Sequence, residues 1–208
     1  MLDMDGTLLD LNFDNHFWQE HVPLRYAQRH GMQLREAKDQ LYTTFREIEG
    51  TMNWYCLDYW SETLDLDIEM LKREVRHLIG ILPHVKDFLD RLRRAGKNIL
   101  LVTNAHQKSL LLKMEETQLN EYFDHIICAH DIGLPKEDPA FWERLKKQHF
   151  FDIQHSLFVD DSLSVLRSAQ KYGIKYLLAV RKPDTMAADR DTEEFSGINS
   201  FADILQGL

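Results

Sequence analysis

Cysteine, proline and glycine are scarce in this 208-residue sequence, which contains two, five and nine of them. The two cysteines, Cys56 and Cys128, lie far apart without the short spacing of paired metal ligands. They therefore exclude a disulfide framework and favour a reducing, cytoplasmic setting. The low glycine and proline content, together with 44% hydrophobic residues, excludes collagen-like and disordered chains. The sequence predicts a globular protein with a substantial core.

A long apolar run and an excess of positive charge are also absent. No apolar stretch reaches the roughly 20 residues that a membrane-spanning helix needs, and we expect no signal peptide. The formal net charge of −9 provides no positive field for nucleic acid or an anionic membrane. We therefore expect neither as a partner, and a phosphorylated substrate would need local cations to hold it.

Short apolar runs alternate with helical periodicity over much of the chain. Three runs are predicted to be buried strands: Ile99–Val102, Ser156–Val159 and Ile174–Val180. Between them, apolar residues spaced three and four apart predict helices, two of which end at Gly96 and Gly173. This alternation predicts a parallel sheet covered on both faces, which is a Rossmann-like α/β core.

Residues 13–80 differ from the rest because no strand pattern interrupts them. Their apolar spacing predicts four helices, through Phe13–Val22, Leu34–Ile48, Trp54–Trp60 and Ile68–Leu78. We interpret residues 13–80, hereafter the helical insert, as a cap. Residues 1–12 and 81–208 are predicted to form the catalytic core.

The C-terminal region carries two weaker patterns. The acidic stretch Asp184–Glu194 is predicted to be a solvated loop, and Phe201–Leu205 is predicted to be a short closing helix.

Two carboxylates, Asp3 and Asp5, stand one residue apart and are followed directly by Gly6. They lie where a strand is predicted to end, and α/β sheets bind ligands outside the carboxyl ends of their strands. A turn that begins at Asp5 can swing its carboxylate over that of Asp3, and Gly6 permits the tight backbone. Acidic turns of this kind also occur without function, so the pair alone leaves both interpretations open.

Three further polar groups follow or adjoin predicted strand ends. Thr103 and Asn104 offer a hydroxyl and an amide that can bind phosphoryl oxygens, and Lys136 is a cation beside a helix start. Asp160 and Asp161 are adjacent carboxylates directly after an apolar strand. The order along the chain is acid pair, hydroxyl, lysine, acid pair, which makes a functional site the better interpretation.

These four stretches resemble motifs I to IV of the haloacid dehalogenase-like (HAD) superfamily, and the helical insert resembles its C1-type cap. The sequence also resembles the bacterial GMP/IMP nucleotidase branch of that superfamily, through Asp3–Phe13, Met52–Glu62, Thr103–His106 and Leu134–Asp138. The resemblance implies hydrolysis of a small phosphomonoester, with GMP and IMP as the favoured substrates.

The resemblance implies a chemical role for each motif residue. Asp3 attacks phosphorus and becomes an aspartyl-phosphate, while Asp5 protonates the leaving alcohol and later activates water. Thr103 and Asn104 hold phosphoryl oxygens, and Lys136 steadies Asp3 and the phosphate. Mg²⁺ and the lysine offset only three of the four carboxylate charges, so a phosphate dianion binds more easily when Asp5 is protonated.

The resemblance also implies a Mg²⁺ site made by Asp3, the backbone carbonyl of Asp5, Asp160 and Asp161. Such oxygen ligands suit Mg²⁺ better than Zn²⁺. Members of the superfamily often carry a further acid where this chain has Val165. We therefore expect Asp161 to be the direct ligand and Asp160 to be a second or water-mediated one.

Only two residues precede Asp3, although strands usually run about five or six residues. Because the strand that carries the nucleophile is central in this fold, we expect the natural chain to begin upstream of Met1.

Side chains of the helical insert are expected to select the substrate. Trp54 and Tyr59 are candidates for stacking on a purine base, although packing inside the insert is the better explanation for most of the aromatic residues there. Three cations of the insert are interpreted as solvated helix charges: Arg25, Arg46 and Lys72.

The ten histidines show no ligand spacing, and no metal is predicted at the Cys128-Ala129-His130 stretch. His106 stands out only because it follows Thr103-Asn104 directly; a helix start explains it as well as a role in the site.

Other functions fit the same motifs. A sugar-phosphate phosphatase or a phosphomutase would use the same two aspartates, whereas a haloacid dehalogenase would need neither Asp5 nor Mg²⁺. A catalytically silent binding protein is the alternative outside enzymes. We expect a monomer or a homodimer, which the sequence does not resolve.

Overall fold

The protein is described by a computed structural model over residues 1–205. In chain order, the insert contains α1 (Asn12–His16), a π-helical stretch (Phe17–His21), α2 (Val22–His30), α3 (Leu34–Ile48), α4 (Met52–Tyr55), α5 (Leu57–Leu64), α6 (Ile68–Glu74) and a 3₁₀ turn (Arg76–Leu78). The core contains α7 (Val85–Arg94), β1 (Leu100–Thr103), α8 (Gln107–Thr117), a 3₁₀ turn (Leu119–Tyr122), β2 (His125–Cys128), α9 (Ala129–Ile132), α10 (Pro139–Gln148), β3 (Leu157–Asp160), α11 (Leu163–Tyr172), β4 (Tyr176–Val180), β5 (Gly197–Ile198) and α12 (Ala202–Leu205).

The N-terminal segment Met1–Asp3 lies at the centre of a parallel sheet. Leu2 N donates to Leu100 O of β1 at 2.8 Å, and Asp3 N donates to Val159 O of β3 at 3.0 Å. The order across the sheet is β2, β1, residues 1–3, β3, β4 and β5, with every neighbour parallel. The predicted α/β class with a parallel sheet is confirmed.

The predicted strands are present with different bounds, and two strands were missed. Ile174 lies outside β4 because its N–H closes the C-terminus of α11 by donating to Ala169 O at 3.1 Å. The missed strands are β2, whose sequence His125-Ile126-Ile127-Cys128 begins with an exposed histidine, and the two-residue β5. Both are too short for a clear apolar period.

The sheet is packed between two hydrophobic clusters because successive strand residues face opposite sides. Leu101 and Val159 face the side that is covered by α7, α8 and α12. Leu100, Val102 and Phe158 face the side that is covered by α10 and α11. The carboxyl ends of the strands are left open at one edge, which is where the candidate residues lie.

The helical insert has a hydrophobic cluster of its own, which includes Phe13, Phe17, Phe45 and Trp60. Its first helix is longer than predicted, because the π-helical stretch leads directly into α2, where Pro23 occupies the first turn and is tolerated. The predicted Trp54–Trp60 helix is instead two short helices, broken by the extended backbone of Cys56.

The two linkers of the insert run side by side. Leu9 forms an antiparallel bridge with Ile81, Asp10 N donates to Gly80 O at 2.9 Å, and Leu82 N donates to Leu8 O at 3.0 Å. The insert thus leaves and rejoins the core at one place, which supports the proposed division into a core and a cap.

The acidic stretch that follows β4 is irregular, as predicted, but it is not fully solvated. Asp184 and Thr192 are buried, and Asp184 Oδ2 accepts a hydrogen bond from Asn15 Nδ2 at 2.6 Å. The closing helix is present as α12. Within residues 1–205, no helix has the length and apolar character required to cross a bilayer.

Candidate active site

The backbone turns sharply where residues 3–9 leave the sheet. Gly6 has a φ of +78°, a left-handed conformation that favours glycine, and its N–H donates to Leu9 O at 2.8 Å. A Cβ atom on Gly6 would lie 2.6 Å from Asp161 Oδ2. A larger residue here would therefore displace Asp161, so the glycine keeps the two acidic stretches close together.

Lys136 lies at the centre of the first charged cluster, between carboxylates from two different strand ends. Its Nζ is 2.5 Å from Asp3 Oδ1 and 2.7 Å from Asp160 Oδ2, and it also donates to Val102 O at 3.1 Å. Lys136 is 2% exposed. All three donor positions of the ammonium group therefore have protein partners, and the lysine fixes the orientation of Asp3.

Burial raises the pKa of each carboxyl in this cluster. Desolvation raises the pKa of Asp3 and of Asp161 to about 7 and that of Asp160 to about 6, although Lys136 opposes each shift. Burial lowers the pKa of Lys136, but Asp160 and Asp3 more than reverse this effect, so the lysine stays charged. Lys136 and Arg190, which pairs with Asp161, supply two positive charges against three carboxylates, so the cluster favours a further cation.

The same three carboxylates fit a magnesium ion. One oxygen from each of Asp3, Asp160 and Asp161 lies within 4.8 Å of the others, and oxygen donors are what Mg²⁺ prefers. Ser162 N donates to Asp160 Oδ1 at 2.8 Å, and Arg190 Nη1 donates to Asp161 Oδ2 at 3.2 Å. Arg190 was not predicted, because nothing in its acidic surroundings marks it as a site residue.

Thr103 is the last residue of β1 and Asn104 follows it, and both lie beside this cluster. Ala105 N donates to Thr103 Oγ1 at 3.0 Å. Asn104 Oδ1 accepts from Lys136 N at 2.9 Å, and its Nδ2 donates to Glu137 Oε2 at 2.9 Å. Both ends of the Asn104 amide therefore have protein partners, and phosphoryl binding by Asn104 remains a prediction.

A contact between the insert and the core is built on Glu137. The hydroxyl of Tyr55, from the insert, donates to Glu137 Oε1 at 2.6 Å. Together with the Asn104 bond, this contact ties the insert to the end of β1. The contact of Tyr55 with Glu137 was not predicted, because the sequence pattern does not show how the insert docks.

Asp5 belongs to a second charged cluster, which crosses from the core into the insert. Lys113 Nζ of α8 lies 2.6 Å from Asp5 Oδ1 and 2.7 Å from Asp14 Oδ2, and Lys72 Nζ lies 2.8 Å from Asp14 Oδ1. Burial raises the pKa of Asp5 despite the opposing effect of Lys113. Burial also raises the pKa of Asp14, but Lys113 and Lys72 outweigh this effect and lower it to about 2.

The interpretation of Lys72 as a solvated charge was wrong. It is 2% exposed, and its ammonium group lies 4.8 Å and 4.5 Å from the ring centres of Phe13 and Phe17. Arg25 is a surface residue that pairs with Glu74 at 2.7 Å, as the sequence suggested. Helical periodicity does not distinguish the buried Lys72 from the exposed Arg25. A lysine can be buried when another helix supplies an acidic partner, and the periodicity of one helix does not show that partner.

A cavity of about 740 Å³ lies between the core and the insert. Asp3, Asp5, Lys136 and Asp161 line its core side, and the insert contributes Trp18, Tyr42, Phe45, Arg46 and Trp54. Tyr59 packs against Trp60, with ring centres 5.1 Å apart, and belongs to the packing of the insert rather than to the cavity lining. Of the two predicted aromatic candidates, only Trp54 lines the cavity.

Comparisons with known proteins agree with this arrangement. The haloacid dehalogenase-like hydrolase family matches residues 1–179. The GMP/IMP nucleotidase YrfG of Escherichia coli (strain K12) is 37% identical over 208 residues, which cover all of this chain and 94% of that protein. The resemblance to this family and to its nucleotidase branch is thus confirmed.

Solved structures share the fold. A HAD phosphatase from Thermococcus onnurineus matches with a TM-score of 0.80 and 22% identity, over 99% of this chain and 94% of that one. YfnB from Bacillus subtilis, whose crystal structure contains magnesium and reveals interdomain movement, matches with a TM-score of 0.69 and 18% identity, over 100% and 96% of the two chains. With its motif residues gathered at one edge of the parallel sheet, the chain belongs to the haloacid dehalogenase-like hydrolases.

Proposed function

We propose that this protein is a Mg²⁺-dependent phosphomonoesterase in which Asp3 is the nucleophile. The observation that carries the proposal is the position of Asp3 on the cavity floor, where Lys136 fixes it and Asp160 and Asp161 stand close enough to share a cation with it. When bound, Mg²⁺ would neutralise charge on the phosphate and so permit the approach of a carboxylate nucleophile.

Two steps follow from the arrangement of the acids. Asp3 attacks phosphorus and forms an aspartyl-phosphate while the bond from phosphorus to the ester oxygen breaks, and Asp5 gives its proton to that leaving oxygen. Water then attacks the aspartyl-phosphate, Asp5 takes a proton from the water, and inorganic phosphate leaves as Asp3 is restored. The raised pKa of Asp5 favours the protonated form that the first step requires.

The proposed substrate class is purine 5′-monophosphates, GMP and IMP above all. The cavity volume of about 740 Å³ lies within the range of about 300–1,000 Å³ that is usual for small-molecule sites. Trp54, Trp18 and Tyr42 offer aromatic surface, and Arg46 offers a donor for a base or sugar oxygen. The nucleotidase activity of the 37% identical E. coli relative supports the same substrates.

The chemistry is tested by phosphate release from IMP, GMP, AMP, UMP and glucose 6-phosphate with Mg²⁺, and again with EDTA. Asp3→Asn should lower turnover by at least about 10⁴-fold, as removal of other enzymic nucleophiles does, while the melting temperature shows an intact fold. Normal turnover by folded Asp3→Asn would reject Asp3 as the nucleophile. Release from glucose 6-phosphate alone would keep the phosphatase and discard the nucleotidase.

Base recognition is tested by Trp54→Leu with Tyr59→Leu as the matched control. Trp54 lines the cavity, whereas Tyr59 packs within the insert, so only Trp54→Leu should raise KM for IMP relative to glucose 6-phosphate. Loss of one base-stacking contact of about 1–3 kcal/mol corresponds to a change of roughly 5- to 150-fold. Equal effects of the two variants would remove Trp54 from the site.

A further inference from the structure

We infer that Cys56, His106 and His130 form a second metal site, built for a thiolate-binding transition metal such as Zn²⁺. One ligand atom from each of the three lies within 4.8 Å of the other two. The cluster shares no residue with the carboxylates at Asp3. It joins the insert, which supplies Cys56, to the core, which supplies both histidines.

Local structure brings the three side chains together. Cys56 is the extended residue between α4 and α5, and its Sγ accepts a hydrogen bond from Tyr59 N at 3.5 Å, which caps α5. His106 precedes α8, and His130 lies in α9 directly after β2. The two imidazoles meet edge to face, with ring centres 4.9 Å apart. Because β1 and β2 are parallel neighbours, the residues after them emerge at the same edge of the sheet.

His130 has an unexplained polar atom at this place. Its Nε2 is buried and has no hydrogen-bond partner within residues 1–205. Buried polar atoms are nearly always satisfied, and one that is not calls for an explanation such as an ion. Burial lowers the pKa of both His106 and His130, which favours the neutral imidazole. On binding a metal, His106 would give up the 3.4 Å hydrogen bond that its Nδ1 accepts from Lys108 N. A metal ion would provide the missing partner.

The donor set selects the class of metal. One sulfur and two imidazole nitrogens suit Zn²⁺ and related transition metals, whereas Mg²⁺ prefers oxygen. Zinc bonds of about 2.0–2.3 Å in tetrahedral geometry place ligand atoms about 3.5 Å apart, so modest side-chain rotation would close the site. The thiol would release its proton on binding. A water molecule would fill the fourth position, because the carboxylate of Asp58, 3.7 Å from His106 Nε2, already pairs with Lys108.

Occupation of this site would hold the insert against the core. Cys56 and the histidines lie on opposite sides of the boundary that the substrate must cross to reach Asp3. His106 also lines the cavity, two residues after Asn104. The ion would therefore favour the arrangement in which the cavity is covered, and it would slow the exchange of substrate and product.

The test uses Co²⁺ as the probe, added to the full chain in excess Mg²⁺ so that the carboxylate site is filled. A thiolate-to-cobalt absorption band should appear with about one equivalent of Co²⁺, and Zn²⁺ should remove it. Cys56→Ser, which keeps a side-chain acceptor for Tyr59 N, should abolish the band. Cys128→Ser is the matched control, because Cys128 is the other cysteine and lies 3.8 Å from His130 without belonging to the cluster.

His130→Gln provides an independent variant if Cys56→Ser does not fold. It should weaken Co²⁺ binding by at least about tenfold, since loss of even an outer-sphere partner has that effect at metal sites. No band in the wild type, or an unchanged band in Cys56→Ser, would overturn the inference, as would loss of the band only in Cys128→Ser. The absorption band is measured without turnover, so failure of this inference can be distinguished from failure of the proposed phosphatase function.

Discussion

Two buried lysines hold the two aspartates of the active site in different ways. Lys136 binds Asp3 and Asp160, and all three residues belong to the core. Lys113 binds Asp5 and Asp14, and through Asp14 it reaches Lys72 in the insert. The proposed nucleophile is thus held by the core alone, whereas the proposed acid and base depends on how the insert docks. Closure of the insert and orientation of Asp5 would then be one event.

The largest effect is expected for Lys136→Met. The substitution leaves Asp3 and Asp160 facing each other without the cation between them, and breaking such a buried pair typically removes about 3–5 kcal/mol of stability. We also expect loss of detectable phosphate release. Urea unfolding and a phosphate assay measure both quantities, with Lys147→Met of the exposed α10 surface as the control. Wild-type turnover would disprove the role of Lys136.

Lys113→Met should impair the chemistry while leaving Asp3 in place. Without Lys113 the carboxylate of Asp5 loses its partner, and general acid catalysis typically contributes about 10²–10⁴-fold. We expect kcat to fall by about 10²-fold, with a smaller change in KM. Lys108→Met is the matched control, because Lys108 lies on the same helix and makes an exposed pair with Asp58. Equal losses from both variants would show that the effect is not specific to Asp5.

The pH dependence of the free energy of unfolding should differ between the cluster around Lys136 and the cluster around Lys113. The pKa values of Asp3, Asp160 and Asp161 are raised from 3.8 to about 6–7, so the folded state binds more protons and these groups make stability fall as pH rises from about 4 to about 7. The pKa of Asp14 is lowered to about 2, so its carboxylate stabilises the folded state above about pH 4. This contribution is lost only as the pH falls towards 2.

Magnesium should therefore raise the melting temperature more at pH 8 than at pH 5, where protons compete for the same carboxylates. A tenfold gain in affinity is worth about 1.4 kcal/mol, or roughly 3–6 °C for a chain of this size. Thermal unfolding with Mg²⁺ and with EDTA checks this, and Asp161→Asn should reduce the difference. Equal shifts at both pH values would argue against a carboxylate site.

Lys72→Met should have the smallest effect, because Asp14 retains Lys113 and the methionine can still pack on Phe13 and Phe17. We expect a loss of about 1–2 kcal/mol and a change in kcat of less than about fivefold. In the Lys113→Met background the same substitution should cost more, because Asp14 then has neither lysine. Strict additivity in this double-mutant cycle would disprove the coupling of Lys72 to Lys113 through Asp14. Arg73→Met, on the exposed side of α6, is the control.

The core half of the site could be read from the sequence because strand ends place residues predictably. Asp3, Thr103, Asp160 and Asp161 each follow an apolar run, and parallel strands bring such positions to one edge. Lys136 was predicted from its place beside a helix start, and the structure brings it between Asp3 and Asp160.

The half of the site that spans the boundary could not be read in this way. Lys113 and Asp14 meet only because α8 packs near α1 in the folded protein. Apolar spacing indicates which face of a helix is buried, but it does not indicate which other helix packs against that face. The Cys56, His106 and His130 cluster was missed for a related reason: the two histidines meet within the core, but Cys56 reaches them only through docking of the insert.

The side-by-side linkers have a consequence for how this protein could change over time. Because Asp10 is bonded to Gly80 and Leu8 to Leu82, the ends of the insert stand as close as the ends of a short turn. A different helical module, or a simple loop, could occupy the same junction without disturbing the strand that carries Asp3. Selection could therefore exchange the helical insert, which we propose selects the substrate, while leaving the candidate site residues of the core unchanged.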